Sequence, residues 1–147
     1  MTPEALRTYL HDHIPLSRAM AVEVLEASAN RVLLEAPLAP NINMHGTMFG
    51  GSSATLALLA AWSVMYLRLE AEGIASQLVI HRTTIEYLLP ISGLAQASAH
   101  LDEAGWPSFR QTFQRRGRAR LTVASELFYE GRPAGRLSGE FVAISEA

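Results

Sequence analysis

The chain has 147 residues, of which 49% are hydrophobic and 18% charged, so it can bury a core and we expect residues 1–147 to form a single domain. Its formal net charge of -2 argues against a general nucleic-acid binder. The absence of cysteine excludes disulfides, thiolate nucleophiles and cysteine-ligated zinc.

The N-terminal quarter of the chain predicts a helix and two strands. Residues 1–14 form an expected helical extension, since the apolar side chains share one face and Pro15 ends the pattern. Ala19–Glu26 and Val32–Ala36 alternate weakly between apolar and polar residues, which predicts two strands joined by a hairpin turn. The N-terminus lacks the basic start and apolar run of a signal peptide, so we expect a cytoplasmic protein.

A long buried helix is predicted over residues 49–69, which carry almost no charge and have apolar residues on every side. The most apolar part, Ala54–Leu67, is shorter than the roughly 20 residues that span a bilayer, so we predict no membrane span. Arg68 and Glu70 mark the expected return of the helix to water, and Gly73 suits its C-terminal end.

The second half of the chain predicts four strands and a short helix. The predicted strands are Gln77–Leu89, Gly93–Leu101, Gly117–Tyr129 and Arg136–Ile144, and the predicted helix is Trp106–Arg116. One helix as long and apolar as residues 49–69 needs a sheet curled around it. The expected fold class is therefore α+β, with a curved antiparallel sheet wrapped around a central helix.

The loop before the long helix carries the pattern that suggests chemistry. The first turn of a helix has unpaired backbone N–H groups at the positive end of the helix dipole. Gly50 and Gly51 have no side chain, so a ligand carbonyl can approach these amides closely, as in an oxyanion hole. The alternative is that both glycines only allow tight packing of the helix on the sheet.

This order of features resembles the hotdog-fold thioesterases over the chain from Ala19 to its end. The matching segments are Asn43, Gly46–Thr47 and Phe49–Gly50–Gly51 before a long apolar helix, then Ile85–Pro90 followed by Gly93. Gly117–Leu121 and the last hairpin are similar to a group of thioesterase domains found at the C-terminus of some acetyltransferase fusions.

The resemblance implies a hotdog fold and hydrolysis of an acyl-CoA or acyl-carrier-protein thioester, without a cofactor. It implies that the Gly50 amide polarises the thioester carbonyl, beside Gly51, and that Asn43 orients the water or the thioester. It also implies a homodimer or dimer of dimers, in which Gln77–Leu89 pairs with its own copy across a two-fold axis.

One position departs from the family pattern, because Leu58 stands where many hotdog thioesterases have a helix carboxylate. Thr55 or His45 could replace it by positioning or activating water. The alternatives are a Thr55 hydroxyl bonded one turn back and an exposed loop histidine. The missing acid leaves a second function open, a non-catalytic acyl-thioester binding or sensing domain. A dehydratase is weakly supported, since no acid stands near His45.

A basic cluster, Arg115, Arg116 and Arg118 with Arg110 and Arg120, is a candidate substrate-binding group. Guanidinium groups bind phosphate in a bidentate manner, so these side chains could hold coenzyme A phosphates or an acidic carrier protein. The alternative is that they complement a helix C-terminus and form a solvated strand face. No His, Asp or Glu spacing suggests a metal site.

Overall fold

The structure is a computed structural model that describes residues 1–146. Its helices are α1 (Pro3–His13), α2 (Pro15–Ala19), α3 (Gly50–Ala71) and α4 (Trp106–Arg116), and a short 3-10 turn spans Ala39–Asn41. Its strands are β1 (Glu23–Ala27), β2 (Arg31–Ala36), β3 (Ser76–Tyr87), β4 (Ala95–His100), β5 (Arg118–Tyr129) and β6 (Arg132–Ser145).

The six strands form one antiparallel sheet in the order β1-β2-β4-β5-β6-β3, which leaves β1 and β3 at its edges. The last two strands form a long hairpin that turns at Glu130 and Gly131, both with positive φ. This arrangement confirms the expected α+β class and the hotdog architecture, a curved and unclosed sheet around one long helix.

Helix α3 is buried against the sheet because it carries small and aliphatic side chains on its inner faces. Leu56, Ala60 and Val64 are fully buried, and the helix lies against β2, β4 and β5. Strand β4 has buried alanines at alternate positions, which lets the helix backbone approach closely. By length and hydropathy α3 could cross a membrane, but 67% of its most apolar stretch lies inside the protein. It is therefore packed as a core helix.

One stripe of α3 is not covered by the sheet. Thr55, Leu58, Trp62 and Tyr66 are spaced three or four residues apart, so they share a face, and all four are only partly buried. The stripe begins one turn after the helix start and continues to its C-terminal half.

Two details at the chain's N-terminus differ from the expected strand at Ala19–Glu26. Pro15 begins a second short helix, because proline fits the first turn of a helix, and Ala19 is the last residue of that helix. The chain then turns at Ala21, whose φ is 57°, and β1 starts only at Glu23.

Arg68 corrects the expectation that α3 returns to water at this residue, since it is only 7% exposed. Its guanidinium donates hydrogen bonds to the Ala29 carbonyl at 3.1 Å and the Asn30 side chain at 2.7 Å. It also pairs with Glu103 and lies 5.1 Å from the centre of the Trp106 ring. The end of α3 is therefore tied to the β1–β2 turn and to the segment before α4.

Candidate active site

Two backbone donors are free at the start of α3. Phe49 is the N-cap, and its side chain makes no capping hydrogen bond. The Phe49 carbonyl accepts from the amides of Ser52 at 2.9 Å and Ser53 at 3.1 Å. Within residues 1–146, the N–H groups of Gly50 and Gly51 have no acceptor. Both donors therefore point out of the positive end of a 22-residue helix.

An open cleft of about 300 Å³ lies beside this helix end. Its lining is mostly apolar, from Met48, the segment 87–91 and Ala134, with Ser53 as a polar member. Tyr87 and Leu88 in its lining are exposed to solvent, as are Ile42, Met44 and Phe49 in the loop before α3. The cleft can therefore hold an apolar group next to the start of α3.

Aromatic rings on both sides of the glycines explain why these positions have no side chain. The Tyr87 hydroxyl donates to the Gly50 carbonyl at 2.9 Å, and a Cβ at Gly50 would lie 3.3 Å from that hydroxyl. A Cβ at Gly51 would lie 2.4 Å from the Phe49 ring. Neither glycine has a positive φ, so the space beside the two rings, rather than backbone conformation, favours glycine at these positions.

Tyr87 is a residue of this site to which the sequence assigned no role. It stands in the Ile85–Pro90 segment that resembles the family signature, and its aromatic character was the available signal. Its contact with Gly50 depends on how the end of β3 meets the start of α3. Local sequence patterns do not contain that relationship.

The Asn43 side chain holds the loop together. Its Oδ1 accepts from the backbone amides of His45 at 2.8 Å and Thr47 at 3.2 Å, and its Nδ2 donates to the Thr47 hydroxyl at 2.9 Å. This is the local bonding that makes asparagine a turn residue. One of the two Nδ2 hydrogens is left for another acceptor.

A buried asparagine, Asn41, fixes the start of the same loop to neighbouring segments. The Asn41 side chain is 2% exposed and donates to the carbonyls of Met20 and Pro37, each at 2.9 Å. The backbone carbonyl of Asn41 accepts from the Phe49 amide at 2.8 Å. Asn41 therefore positions the residue that precedes the two glycines, although the sequence drew attention to Asn43 instead.

The two proposed substitutes for a helix acid occupy different surroundings. The Thr55 hydroxyl donates to the Gly51 carbonyl at 2.7 Å, one turn back, so only its oxygen lone pairs are open to a water. His45 is exposed, and its backbone amide rather than its ring bonds to Asn43. Leu58 lies one turn beyond Thr55 and packs partly against the core.

The basic cluster is not next to Gly50 in the same chain. Arg118 is paired in register with Ile144, which is paired with Gln77 at the far end of β3 from Tyr87. Ten strand residues separate those ends, about 30 Å. Among the ion pairs of residues 1–146, two involve other arginines of the cluster, Arg110 with Glu72 and Arg120 with Glu140. Arg115, Arg116 and Arg118 are exposed.

Comparisons with known proteins agree with this geometry. Residues 3–145 match a family described as "Putative thioesterase (yiiD_Cterm)". The chain is similar to a protein of unknown function from Chlorobaculum tepidum, with 30% identity, coverage of 99% of this chain and 98% of that one, and a TM-score of 0.91.

It is also similar to a crystal structure described as a putative thioesterase from Shewanella oneidensis, with 27% identity, 97% and 96% coverage and a TM-score of 0.85. A thioesterase from Haemophilus influenzae, at 15% identity, covers 99% of this chain and 92% of its own with a TM-score of 0.77, and it supports the fold alone. The chain therefore belongs to the yiiD C-terminal family of the hotdog-fold thioesterase superfamily.

Proposed function

We propose that this protein hydrolyses an acyl-CoA or acyl-carrier-protein thioester to a free acid and a thiol. The observation that carries the proposal is the pair of free N–H donors of Gly50 and Gly51 at the start of a buried helix, beside an apolar cleft. Such donors stabilise the oxyanion that forms when a carbonyl is attacked. One donor of this kind contributes about a hundred- to a thousandfold in rate.

The proposed reaction uses water as the nucleophile. The thioester carbonyl oxygen accepts hydrogen bonds from Gly50 and Gly51, water attacks the carbonyl carbon, and the C–S bond breaks to release a thiolate that takes up a proton. Asn43 has one free Nδ2 hydrogen with which to orient the water or the thioester. The Thr55 oxygen can accept from the attacking water, and His45 is the candidate base.

We further propose that the working unit is a homodimer, on its own or within a dimer of dimers, built through β3. This strand has 12 residues and lies at the sheet edge, with Val79 and Ile80 exposed. A long exposed edge strand invites pairing, and pairing of two identical edges closes as a C2 dimer.

Antiparallel pairing of β3 with its copy would exchange the two ends of the strand. The Ser76 end of one protomer would then lie beside the Tyr87 end of its partner. Arg115, Arg116 and Arg118 belong to the Ser76 end of the sheet, so they would reach the neighbouring active site. There they are candidates to bind the phosphates of coenzyme A or an acidic carrier protein.

The deciding experiment is thiol release from a panel of acyl-CoAs of different chain lengths. Because the chain has no cysteine, a thiol-reactive dye reports only the released coenzyme A. Gly50→Val is the matched control, since a branched side chain blocks approach to the amides. Thiol release that Gly50→Val abolishes supports the proposal. Absence of release on every acyl-CoA and acyl-carrier protein, from a folded protein, contradicts it.

A second candidate function is a non-catalytic acyl-thioester binding or sensing domain in the cytoplasm. Leu58 favours it, because no acidic residue occurs on α3 before Glu70. Calorimetric titration separates the two functions, since a sensing domain binds acyl-CoA tightly and returns it unhydrolysed.

A further inference from the structure

A second cleft, of about 380 Å³, lies between α1, the C-terminal half of α3 and the start of β3. Tyr9, Trp62 and Tyr66 contribute aromatic rings to its wall, and Leu69, Ile74 and Leu78 add aliphatic side chains. Trp62 and Tyr66 belong to the stripe of α3 that the sheet leaves uncovered. The cleft is therefore largely apolar and lies along this partly buried stripe, with Glu70, Ser76, Gln77 and Glu146 as its polar members.

The aromatic rings of this cleft form an ordered stack. Tyr9 lies 4.1 Å from His13 and 4.9 Å from Tyr66, and Tyr66 lies 4.9 Å from Trp62, with interplanar angles of 10–20°. The Trp62 indole N–H donates to the Leu78 carbonyl at 3.3 Å, which fixes the outer ring against β3. Four nearly parallel rings held in this way form a rigid stack, in which neighbouring rings cover one another's faces.

The Tyr66 phenol in this cleft stays neutral over the physiological range. Burial, followed by a hydrogen bond to the Tyr9 phenol, raises the pKa of Tyr66 to about 12. Two acidic side chains, Glu70 and Glu146, also line the cleft and would repel an anionic group. A neutral acyl group is therefore favoured there over one that carries its own carboxylate.

Within one protomer this cleft is too far from the free amides to act on the same small acyl group. Trp62 follows Gly50 by 12 residues on α3, which is about 18 Å along the helix axis. The cleft includes Ser76, whereas Tyr87 at the other end of β3 contacts Gly50. In the proposed homodimer, antiparallel pairing of two β3 edges would bring these opposite ends together, so each cleft would lie near the glycines of the other protomer.

We propose that the cleft of Tyr9, Trp62 and Tyr66 in one protomer selects the acyl group bound at Gly50 of its partner, and that it takes neutral acyl groups with an aromatic ring. This rests on the proposed thioester hydrolysis and on the proposed β3 homodimer, and it names the substrate class. Offset or edge-to-face stacking adds about 0.5–1.5 kcal/mol to the burial of a ring. A straight alkyl chain gains only the free energy of burying its apolar surface.

The first test compares thiol release from phenylacetyl-CoA, hexanoyl-CoA and acetyl-CoA. We expect the highest kcat/KM for phenylacetyl-CoA, and we expect Trp62→Leu and Tyr66→Leu to lower its ratio to acetyl-CoA about tenfold. Tyr129→Leu is the matched control, since this tyrosine packs near Gly93, away from the cleft. A preference for hexanoyl-CoA, or a ratio that neither variant changes, overturns the inference.

Fluorescence separates failure of the inference from failure of the proposed function. Trp106→Phe leaves Trp62 as the only tryptophan, because the chain has two. If no thioester is hydrolysed, the proposed function fails. Binding of the aromatic acyl group in the cleft is then tested by the fluorescence of this variant alone. Quenching of Trp62 by phenylacetyl-CoA but not by acetyl-CoA supports the inference, and equal or absent quenching overturns it.

Mixed dimers test whether the cleft acts across the interface. A Gly50→Val subunit has an intact aromatic cleft, but its helix-start amides are blocked. A Trp62→Leu subunit has an altered aromatic cleft, but its helix-start amides are open. If the cleft serves the partner, random mixing restores about a quarter of the wild-type sites, since half the dimers are mixed and each carries one intact site. If mixing restores no phenylacetyl-CoA turnover above that of the separate variants, the cleft does not act in trans.

Discussion

The Tyr87 hydroxyl donates a hydrogen bond of 2.9 Å to the carbonyl oxygen of Gly50, the first residue of α3. The end of the edge strand is thereby attached to the start of the buried helix. The same carbonyl accepts from the Ser53 hydroxyl at 3.2 Å. Both donors hold the peptide that follows Gly50, so they fix the direction of the neighbouring free N–H groups.

Tyr87→Phe tests whether this hydrogen bond positions the reactive amides. A typical hydrogen bond contributes about 0.5–1.5 kcal/mol, so we expect kcat to fall about three- to tenfold with little change in KM. The ring stays in place, so the melting temperature should fall by only about 2–4 °C. Steady-state kinetics with thermal denaturation measures both. An unchanged kcat would show that Tyr87 lines the cleft without positioning the amides.

Substitutions at the two glycines should differ because different rings oppose them. Alanine at Gly50 meets the tip of Tyr87 at 3.3 Å, whereas alanine at Gly51 overlaps the Phe49 ring at 2.4 Å. Phe49 is 58% exposed and can rotate away, so Gly51→Ala should fold normally with a displaced ring.

We expect Gly50→Ala to lower turnover more than Gly51→Ala, and Gly50→Val to lower binding and turnover together. Acyl-CoA binding and thiol release should be measured on all three variants. Equal activity of Gly50→Val and wild type would show that the Gly50 amide takes no part in the reaction.

Arg68 and Glu103 should affect stability unequally. Arg68 is 7% exposed and holds two segments besides Glu103, so Arg68→Leu should cost about 2 kcal/mol or more. Glu103 is largely exposed, so Glu103→Gln should cost less. Urea denaturation of both variants at pH 7 tests this order. A larger loss for Glu103→Gln would contradict the assigned role of Arg68.

The contribution of Glu103 should also depend on pH. The hydrogen bond from Arg68 lowers the pKa of the Glu103 carboxyl from its ordinary value of 4.5. A carboxylate with a lowered pKa in the folded state adds stability above the unfolded-state pKa, and this is lost as the pH falls through the folded-state pKa. Denaturation at a series of pH values should show the wild type and Glu103→Gln converging in acid.

The Tyr66 phenol should titrate at a higher pH than an ordinary tyrosine. Its pKa of about 12 lies above the ordinary value of 10.0 because burial and the Tyr9 phenol favour the neutral form. The stability it contributes is therefore complete below pH 10 and is lost as the pH rises toward 12. Ultraviolet difference titration should show a late tyrosinate step that Tyr66→Phe removes. A single transition near pH 10 for all four tyrosines would contradict this.

The sequence predicted the parts of the fold that depend on local patterns. The apolar character of residues 49–69 predicted α3, and α4 was predicted with its observed bounds, because proline and glycine mark its ends. Arg68 was misplaced, since its acceptors lie on segments that are distant in sequence. The role of Tyr87 was missing for the same reason. Thr55 bonds one turn back, a contact that helix geometry alone suggests.

Asn43 is the residue for which structural and catalytic roles most need to be separated. Its three side-chain hydrogen bonds join it to His45 and Thr47, so Asn43→Ala should destabilise the loop as well as lower turnover. A loss of both stability and turnover in Asn43→Ala therefore does not distinguish a structural role from a catalytic one.

Asn43→Asp distinguishes the two roles. Aspartate keeps the oxygen that accepts from the amides of His45 and Thr47, but it has no Nδ2 hydrogens to donate. If Asn43 orients the water or the thioester, we expect Asn43→Asp to retain most of the stability lost in Asn43→Ala and to lower kcat about tenfold or more.

Thr47→Val is the control, because it removes the other partner of the Nδ2 donor and leaves the Asn43 amide intact. Wild-type kcat in Asn43→Asp would limit Asn43 to holding the loop. The water-orienting role would then move to Thr55 or His45. Thiol-release kinetics and thermal melts of the three variants decide between these outcomes.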